Sequence, residues 1–174
     1  MNNEITVRKV NGSDMGSVAE IAVTTWRDAY KGIMTDEYLY RHGVEDRKAS
    51  FQTFFMEMAQ ENSSFFVAEK DGTVIGFAMC GKARDDLEPF KGEVYALYVH
   101  PHFQKSGAGT QLFNEVGNYL NSNGFYPSML WVLKDNHTAG RFYEKLGGIP
   151  VAEKTEKFGE TELIEIAYGF KNLT

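Results

Sequence analysis

The sequence is short of the features that mark several common protein classes. It has one cysteine, Cys80, in 174 residues, so no disulfide can form within the chain and a reducing compartment is the natural expectation. No run approaches the roughly 18 apolar residues of a membrane-spanning helix, so no membrane partner is expected. Met1-Asn2-Asn3-Glu4 lacks a basic segment leading into an apolar one, which indicates no signal peptide and leads to the expectation of a cytoplasmic protein. Cations are also scarce. Lys and Arg number 18 against 24 Asp and Glu, a net charge of −6, which argues against a nucleic-acid partner. The same balance suits a cationic acceptor, because negative clefts steer cations inward. Linkers, repeats and low-complexity segments are missing too. What remains, 43% hydrophobic and 24% charged, is expected to fold as one globular domain over residues 1–174.

The hydrophobic period then gives the elements. Ile5 to Val10 alternates as a short strand, and Asn11-Gly12-Ser13-Asp14 supplies a turn and a helix cap. A helix to Tyr30 follows, with Val18, Ile21, Ala22, Trp26, Ala29 and Tyr30 on one face. A second helical region starts at Thr35-Asp36, broken near 41–46, with Phe51, Phe54, Phe55 and Met58 at helical spacing. Phe65 to Cys80 reads as a hairpin turning at Asp71-Gly72. Glu93 to Val99 is a strand, and Leu112, Phe113, Val116 and Leu120 mark a helix closed by Asn123-Gly124. Met129–Leu133 is a strand. Asn136 caps a short helix carrying Ala139, Phe142, Tyr143 and Leu146, and a hairpin around Gly159 ends near Phe170, with Ile164, Ile166, Tyr168 and Phe170 sharing a face. The order β-α-α-β-β-β-α-β-α-β-β predicts one α+β domain on a mixed sheet of about seven strands with four or so helices.

The segment Gln104-Lys105-Ser106-Gly107-Ala108-Gly109-Thr110 lies between a strand and a helix. Glycines there let backbone approach an anion closely, and the N–H groups of Gly107, Ala108, Gly109 and Thr110 are the unpaired donors of the helix's first turn. Lys105 adds a positive charge. No Gly-x4-Gly-Lys-Ser/Thr string exists, and Leu112 stands where a dinucleotide fingerprint needs its third glycine. The pattern that fits is Gln/Arg-x-x-Gly-x-Gly/Ala. With this loop, the Tyr98-Val99-His100-Pro101 lead-in, Asn136, Tyr143 and the element order from Ile5 to Phe170, the chain resembles the GNAT superfamily of N-acetyltransferases. Ser106 departs from the family, which often has glycine or a basic residue there.

The resemblance implies acetyl-CoA as co-substrate, its pyrophosphate on residues 104–110, and no metal. It implies that the backbone of Tyr98 and Val99 pairs with the pantetheine arm where the fourth and fifth strands splay, and that Asn136 contacts the same arm. It also implies Tyr143 beside the thioester sulfur as the general acid. An amine acceptor is mostly protonated at neutral pH, so a base is needed. Glu93, which opens the organising strand and is expected to share a face with Tyr95, Leu97 and Val99, is the base candidate. His100-Pro101-His102 is discounted as a metal site, because the proline corner is expected to send the rings apart and no carboxylate or cysteine lies at ligand spacing.

The acceptor is less legible. Trp26 and Tyr30 either line a slot for a small amine or belong to the core, with core favoured for Trp26. Asp85, Asp86 and Glu88 either attract a cationic amine or form a solvated loop. The expected function is transfer of an acetyl group to a small primary amine, such as a polyamine or amino-acid-like amine, by a monomer or homodimer. The alternatives are a non-catalytic acyl-CoA-binding domain and a protein N-terminal or lysine acetyltransferase.

Overall fold

The computed structural model describes residues 4–58 and 61–171. The elements are β1 (Ile5–Lys9), α1 (Met15–Tyr30), α2 (Asp36–Leu39), α3 (Val44–Glu57), β2 (Ser64–Lys70), β3 (Thr73–Lys82), β4 (Gly92–Val99), α4 (Ala108–Ser122), β5 (Ser128–Leu133), α5 (His137–Lys145), β6 (Ile149–Phe158) and β7 (Thr161–Phe170). The order is the expected one, with the second helical region in two pieces. Thr35 caps the first piece through Tyr38 N–H, and Gly43 N–H donates to Asp46 to start the second.

The strands form one sheet in the order β1-β2-β3-β4-β5-β7-β6. Every neighbouring pair is antiparallel except β4 and β5, which α4 connects as a crossover. The β2–β3 hairpin turns at Asp71 and Gly72, both with positive φ, which an Asp-Gly pair tolerates.

Two layers cover the sheet. On one face Leu112, Phe113, Val116 and Leu120 of α4, all fully buried or nearly so, pack on Phe66, Ile75, Ala78, Leu130 and Phe170. On the other face Val18, Ile21 and Ala22 of α1, with Phe51, Phe54 and Phe55 of α3, pack on Phe65, Val67 and Phe77. Each fully buried Leu or Phe contributes about 1.5–3 kcal/mol, so the helical stripes account for both layers. A third, smaller cluster joins Tyr30, Met34 and Leu39 to Leu133 at the β5 end. The expected common face of the last strand holds for Ile166, Tyr168 and Phe170, whereas Ile164 is exposed near the hairpin tip, beyond the helices.

The feature that shapes the site is the short β4–β5 pairing. Only Gly92 with Ser128 and Glu93 with Met129 are in register. Beyond them β4 stays with β3 and β5 stays with β7, so the two strands part. A bulge helps to part them: Cys80 faces Val94 and Met79 faces Ala96, leaving Tyr95 as the extra residue. One extra residue reverses the alternation. Glu93, Tyr95 and Tyr98 therefore lie on the α1 and α3 side, while Leu97 and Val99 turn to the α4 core. The expectation that Tyr95, Leu97 and Val99 all share a face with Glu93 is corrected by that bulge.

Candidate active site

The parted strands leave a cleft of about 390 Å³ on the α1 side of the sheet. Its floor follows from register. Met129 pairs with Glu93, Trp131 and Leu133 lie two and four residues further along β5, and Leu133 pairs with Glu165, which pairs with Lys154. Paired residues and i, i+2 residues share a face, so Glu93, Trp131, Glu165 and Lys154 all point into the cleft. Trp26 and Tyr30 of α1 form one wall, their rings edge to face at 4.4 Å. Trp26 is half-buried and lines the cleft while packing on the third cluster, so the two readings of this residue both describe it. Asp85 also lines the cleft. Asp86 and Glu88 are exposed and do not.

Glu93 is 2% exposed, and its carboxylate accepts three hydrogen bonds from Arg84: the backbone N–H at 2.9 Å, Nε at 3.2 Å, and the short bond from Nη2. The guanidinium lies 4.4 Å from the centre of the Tyr95 ring. The hydrogen bond to Glu93 raises the Arg84 pKa above its already high ordinary value, which keeps Arg84 charged. A carboxylate offers about four acceptor positions, so Glu93 keeps about one for a further partner.

Tyr143 of α5 is 7% exposed, packed against Phe142, Phe113 and Tyr168 at 5.1, 6.1 and 6.4 Å. Its hydroxyl has no hydrogen-bond partner among the described residues. Burial pushes the hydroxyls of Tyr143, Tyr98 and Tyr30 above the ordinary phenol range; Tyr30 raises Tyr98 and Tyr143 further, and Glu165 raises Tyr30. Asn136 connects two of these elements. Its Oδ1 caps α5 through Ala139 N–H at 3.2 Å, and its Nδ2 donates to Tyr30 Oη at 3.5 Å. Cys80 is buried and its thiol is pushed up to about 12, which removes it as a nucleophile.

The loop before α4 has the form of an anion cradle. Lys105 and Gly107 both have positive φ, with Ser106 between them on the ordinary side, an alternation that curls N–H groups inward. Gln111 N–H is the first to bond back, to Gly107 O at 3.1 Å, so the preceding donors of the first turn have no backbone acceptor among the described residues. A Cβ built on Gly107 would meet nothing, whereas one on Gly109 would press on Phe142 at 3.2 Å. Ala108 is buried under the cradle. Two side chains brace the loop. Gln104 donates to Val99 O at 3.3 Å, and Ser106 Oγ donates to Phe103 O at 2.6 Å. His100 N–H donates to Ile75 O, so the alternation of the ladder turns the Val99 N–H to the open side of β4 and the Tyr98 peptide groups toward β3. Tyr98 meets the cleft with its ring instead.

The rings of His100 and His102 do not diverge as expected. They stand edge to face at 5.1 Å, because His100 Nδ1 accepts the His102 N–H and closes the corner. Among the described residues no three His, Cys, Asp or Glu side chains gather as metal ligands.

Sequence reasoning missed Arg84, Trp131, Lys154 and Glu165. The usable signal was strand alternation: if Ile164 and Ile166 face one side, Glu165 faces the other, and so do its cross-strand partners.

A family model described as "Acetyltransferase (GNAT) family" matches residues 23–148. YuaI, an uncharacterized N-acetyltransferase of Bacillus subtilis (strain 168), is 27% identical over 98% of this chain and 95% of its own length. A spermidine N(1)-acetyltransferase of Thermoplasma acidophilum is also 27% identical, over 82% of this chain and 87% of its own. In fold, the crystal structure of PaiA N-acetyltransferase from Thermoplasma acidophilum in complex with coenzyme A superposes with a TM-score of 0.74 at 24% identity, covering 96% of this chain and 99% of that one. With a family match across residues 23–148 and the parted strands, loop and helix in place, this chain belongs to the acetyltransferase (GNAT) family of N-acetyltransferases.

Proposed function

We propose that this protein transfers the acetyl group of acetyl-CoA directly to a small primary amine, within one ternary complex and in the cytoplasm. The observation that carries this reading is the β4–β5 opening with a carboxylate-bearing cleft on its α1 side. Tyr143, whose hydroxyl has no hydrogen-bond partner among the described residues, lies within electrostatic reach of Tyr30 and Tyr98, which line that cleft. The residues present fit the co-substrate. Residues 105–110 offer a cradle of N–H groups that have no backbone acceptor among the described residues, with open space at Gly107. The edges of β4 and β5 beyond their short pairing offer backbone partners to an extended amide-containing arm. The relative named for spermidine supports a small amine as acceptor.

Acetyl-CoA supplies an acyl carbon with a thiol leaving group. Glu93, through its remaining acceptor position or one water, takes the proton that an ammonium must lose before it can attack. Arg84 holds that carboxylate in place on the cleft floor. The Val99 N–H on the open edge is a donor for the acyl oxygen, a modest oxyanion contact. Tyr143 keeps a proton at its phenolic oxygen for the departing sulfur, and Asn136 fixes the start of α5 that carries it. No covalent enzyme intermediate is required.

The activity test is to mix protein and acetyl-CoA with alkylamines, diamines, amino acids and aminoglycosides, and to follow free thiol. Release with an amine and not with its N-acetyl product is expected. Binding of CoA without thiol release for any amine overturns the catalytic reading. The cradle has its own test. Gly107→Val puts a β-branched residue at φ 93°, a conformation that L side chains rarely adopt, and should weaken CoA binding at least about tenfold by calorimetry.

A further inference from the structure

Lys154 sends its ammonium group into the cleft, where it meets three carboxylates and an indole. Nζ stands 3.0 Å from Asp85, 3.6 Å from Glu156 and 3.7 Å from Glu165, and 4.2 Å from the centre of the Trp131 ring. The contact with Glu165 is an ordinary cross-strand pair, and Glu156 is two residues along the same strand. A surface ladder would give those two contacts and no more. Asp85 is different, since it comes from the segment between β3 and β4, 69 residues away in sequence. Trp131 adds a buried indole N–H directed toward Asp85, whose pKa it helps to lower, without a hydrogen bond of ordinary geometry among the described residues. The neighbouring Arg84 spends its hydrogen bonds on Glu93, and its charge adds only a minor pull on Asp85, whose main partner is Lys154. Glu156 is exposed and lies outside the cleft lining, so within the cleft one ammonium faces Asp85 and Glu165, and with Arg84 paired to Glu93 one negative charge is left over.

We propose that this set recognises a second, remote ammonium of the acceptor, and that Lys154 is its built-in competitor. The acceptor class is then a diamine. This inference rests on the acetyl-transfer reading above. A cation–aromatic contact adds to the charge attraction, and Glu165 is largely shielded from water, so a remote ammonium gains more than an alkyl end. An acceptor carboxylate would meet the Asp85 and Glu165 charges against one Lys154, which disfavours amino acids. Lys154 lowers affinity for the diamine because the incoming cation has to displace it or sit beside it.

The test uses the whole protein saturated with CoA and titrated with 1,4-diaminobutane and with butylamine. Trp26 and Trp131 both line the cleft, so tryptophan fluorescence and calorimetry report binding without turnover. Lys154→Met keeps the side-chain stem and removes the charge. It should raise the preference for diamine over butylamine at least about tenfold, in dissociation constants and in KM ratios alike. Asp85→Asn should lower that preference about tenfold, and it carries the test if Lys154→Met melts early. An unchanged preference in the folded variants overturns the proposal. So does a loss of amino-acid acetylation in Lys154→Met, which would make Lys154 an anchor for a carboxylate. If the binding preference shifts as expected but wild-type protein releases no thiol with any amine, the acetyl-transfer reading fails and the ammonium site stands. Thiol release without any shift in preference overturns the ammonium site and leaves acetyl transfer standing.

Discussion

Replacing Tyr143 by phenylalanine is expected to lower turnover by about 100- to 1,000-fold, the usual range for losing a positioned general acid. CoA affinity should stay within about threefold, because the ring keeps its contacts with Phe113, Phe142 and Tyr168. The melting temperature should barely move, since the hydroxyl has no hydrogen bond among the described residues to lose. That combination separates a catalytic hydroxyl from a core tyrosine, for which activity and stability would fall together or not at all. The pH profile adds a second test. Burial pushes the Tyr143 hydroxyl up from the ordinary phenol value near 10, so the proton stays on the oxygen through mildly alkaline solution. A donor is lost only as pH rises through its own pKa, so a raised pKa moves the falling limb upward. Turnover should therefore rise with pH as the amine loses its proton and show no decline below about pH 9.5. A decline centred near pH 7 to 8 would sink the assignment of Tyr143 as the acid.

The proposed donor half of the site was legible as a shape because it is built from local signals. A strand, a glycine loop and a helix start lie within Glu93 to Thr110, and the conformations needed at Gly107 and the free donors of α4 follow from residue type alone. Tyr143 and Asn136 lie on one short helix whose cap and stripe are both visible in sequence. The acceptor half was not legible, since it is assembled across the sheet. Lys154 of the edge strand β6 and Asp85 of the β3–β4 segment are far apart in the chain and meet across the cleft, a contact that no local pattern in the sequence encodes. The bulge at Tyr95 was also invisible. No glycine or proline marks it, and the apolar run from Val94 to Val99 reads equally well with either face inward, so alternation alone misassigned Leu97 and Val99. The His100–His102 contact was missed for a similar reason: a side-chain acceptor for the His102 N–H closes the corner, which residue spacing does not encode.

Glu93 and Arg84 make the second large prediction, on stability rather than rate. Glu93 is 2% exposed, and Arg84→Ala would leave it with only the backbone N–H of residue 84. Removing one partner of a buried pair commonly costs about 3–5 kcal/mol, because the remaining charge is uncompensated. The Arg84 side chain is 62% exposed, so water can replace part of what it supplies, and the expected cost is the lower end, about 3 kcal/mol. For a chain of this length that is a fall in melting temperature of about 6–12 °C. Glu93→Gln removes the charge while keeping an acceptor for the backbone N–H, and should cost less. In the Glu93→Gln background, Arg84→Ala should then cost at least about 1.5 kcal/mol less than alone, a coupling measurable by the double-mutant cycle in urea. Kinetics separates the residues again. Glu93→Gln should reduce turnover more than it reduces stability, whereas Arg84→Ala acts on rate only by loosening the carboxylate, and raising the pH should recover part of both losses as the free amine becomes abundant. Additive stabilities would mean that Glu93 draws its support elsewhere, and a Glu93→Gln enzyme with unimpaired turnover would move the base to another carboxylate of the cleft.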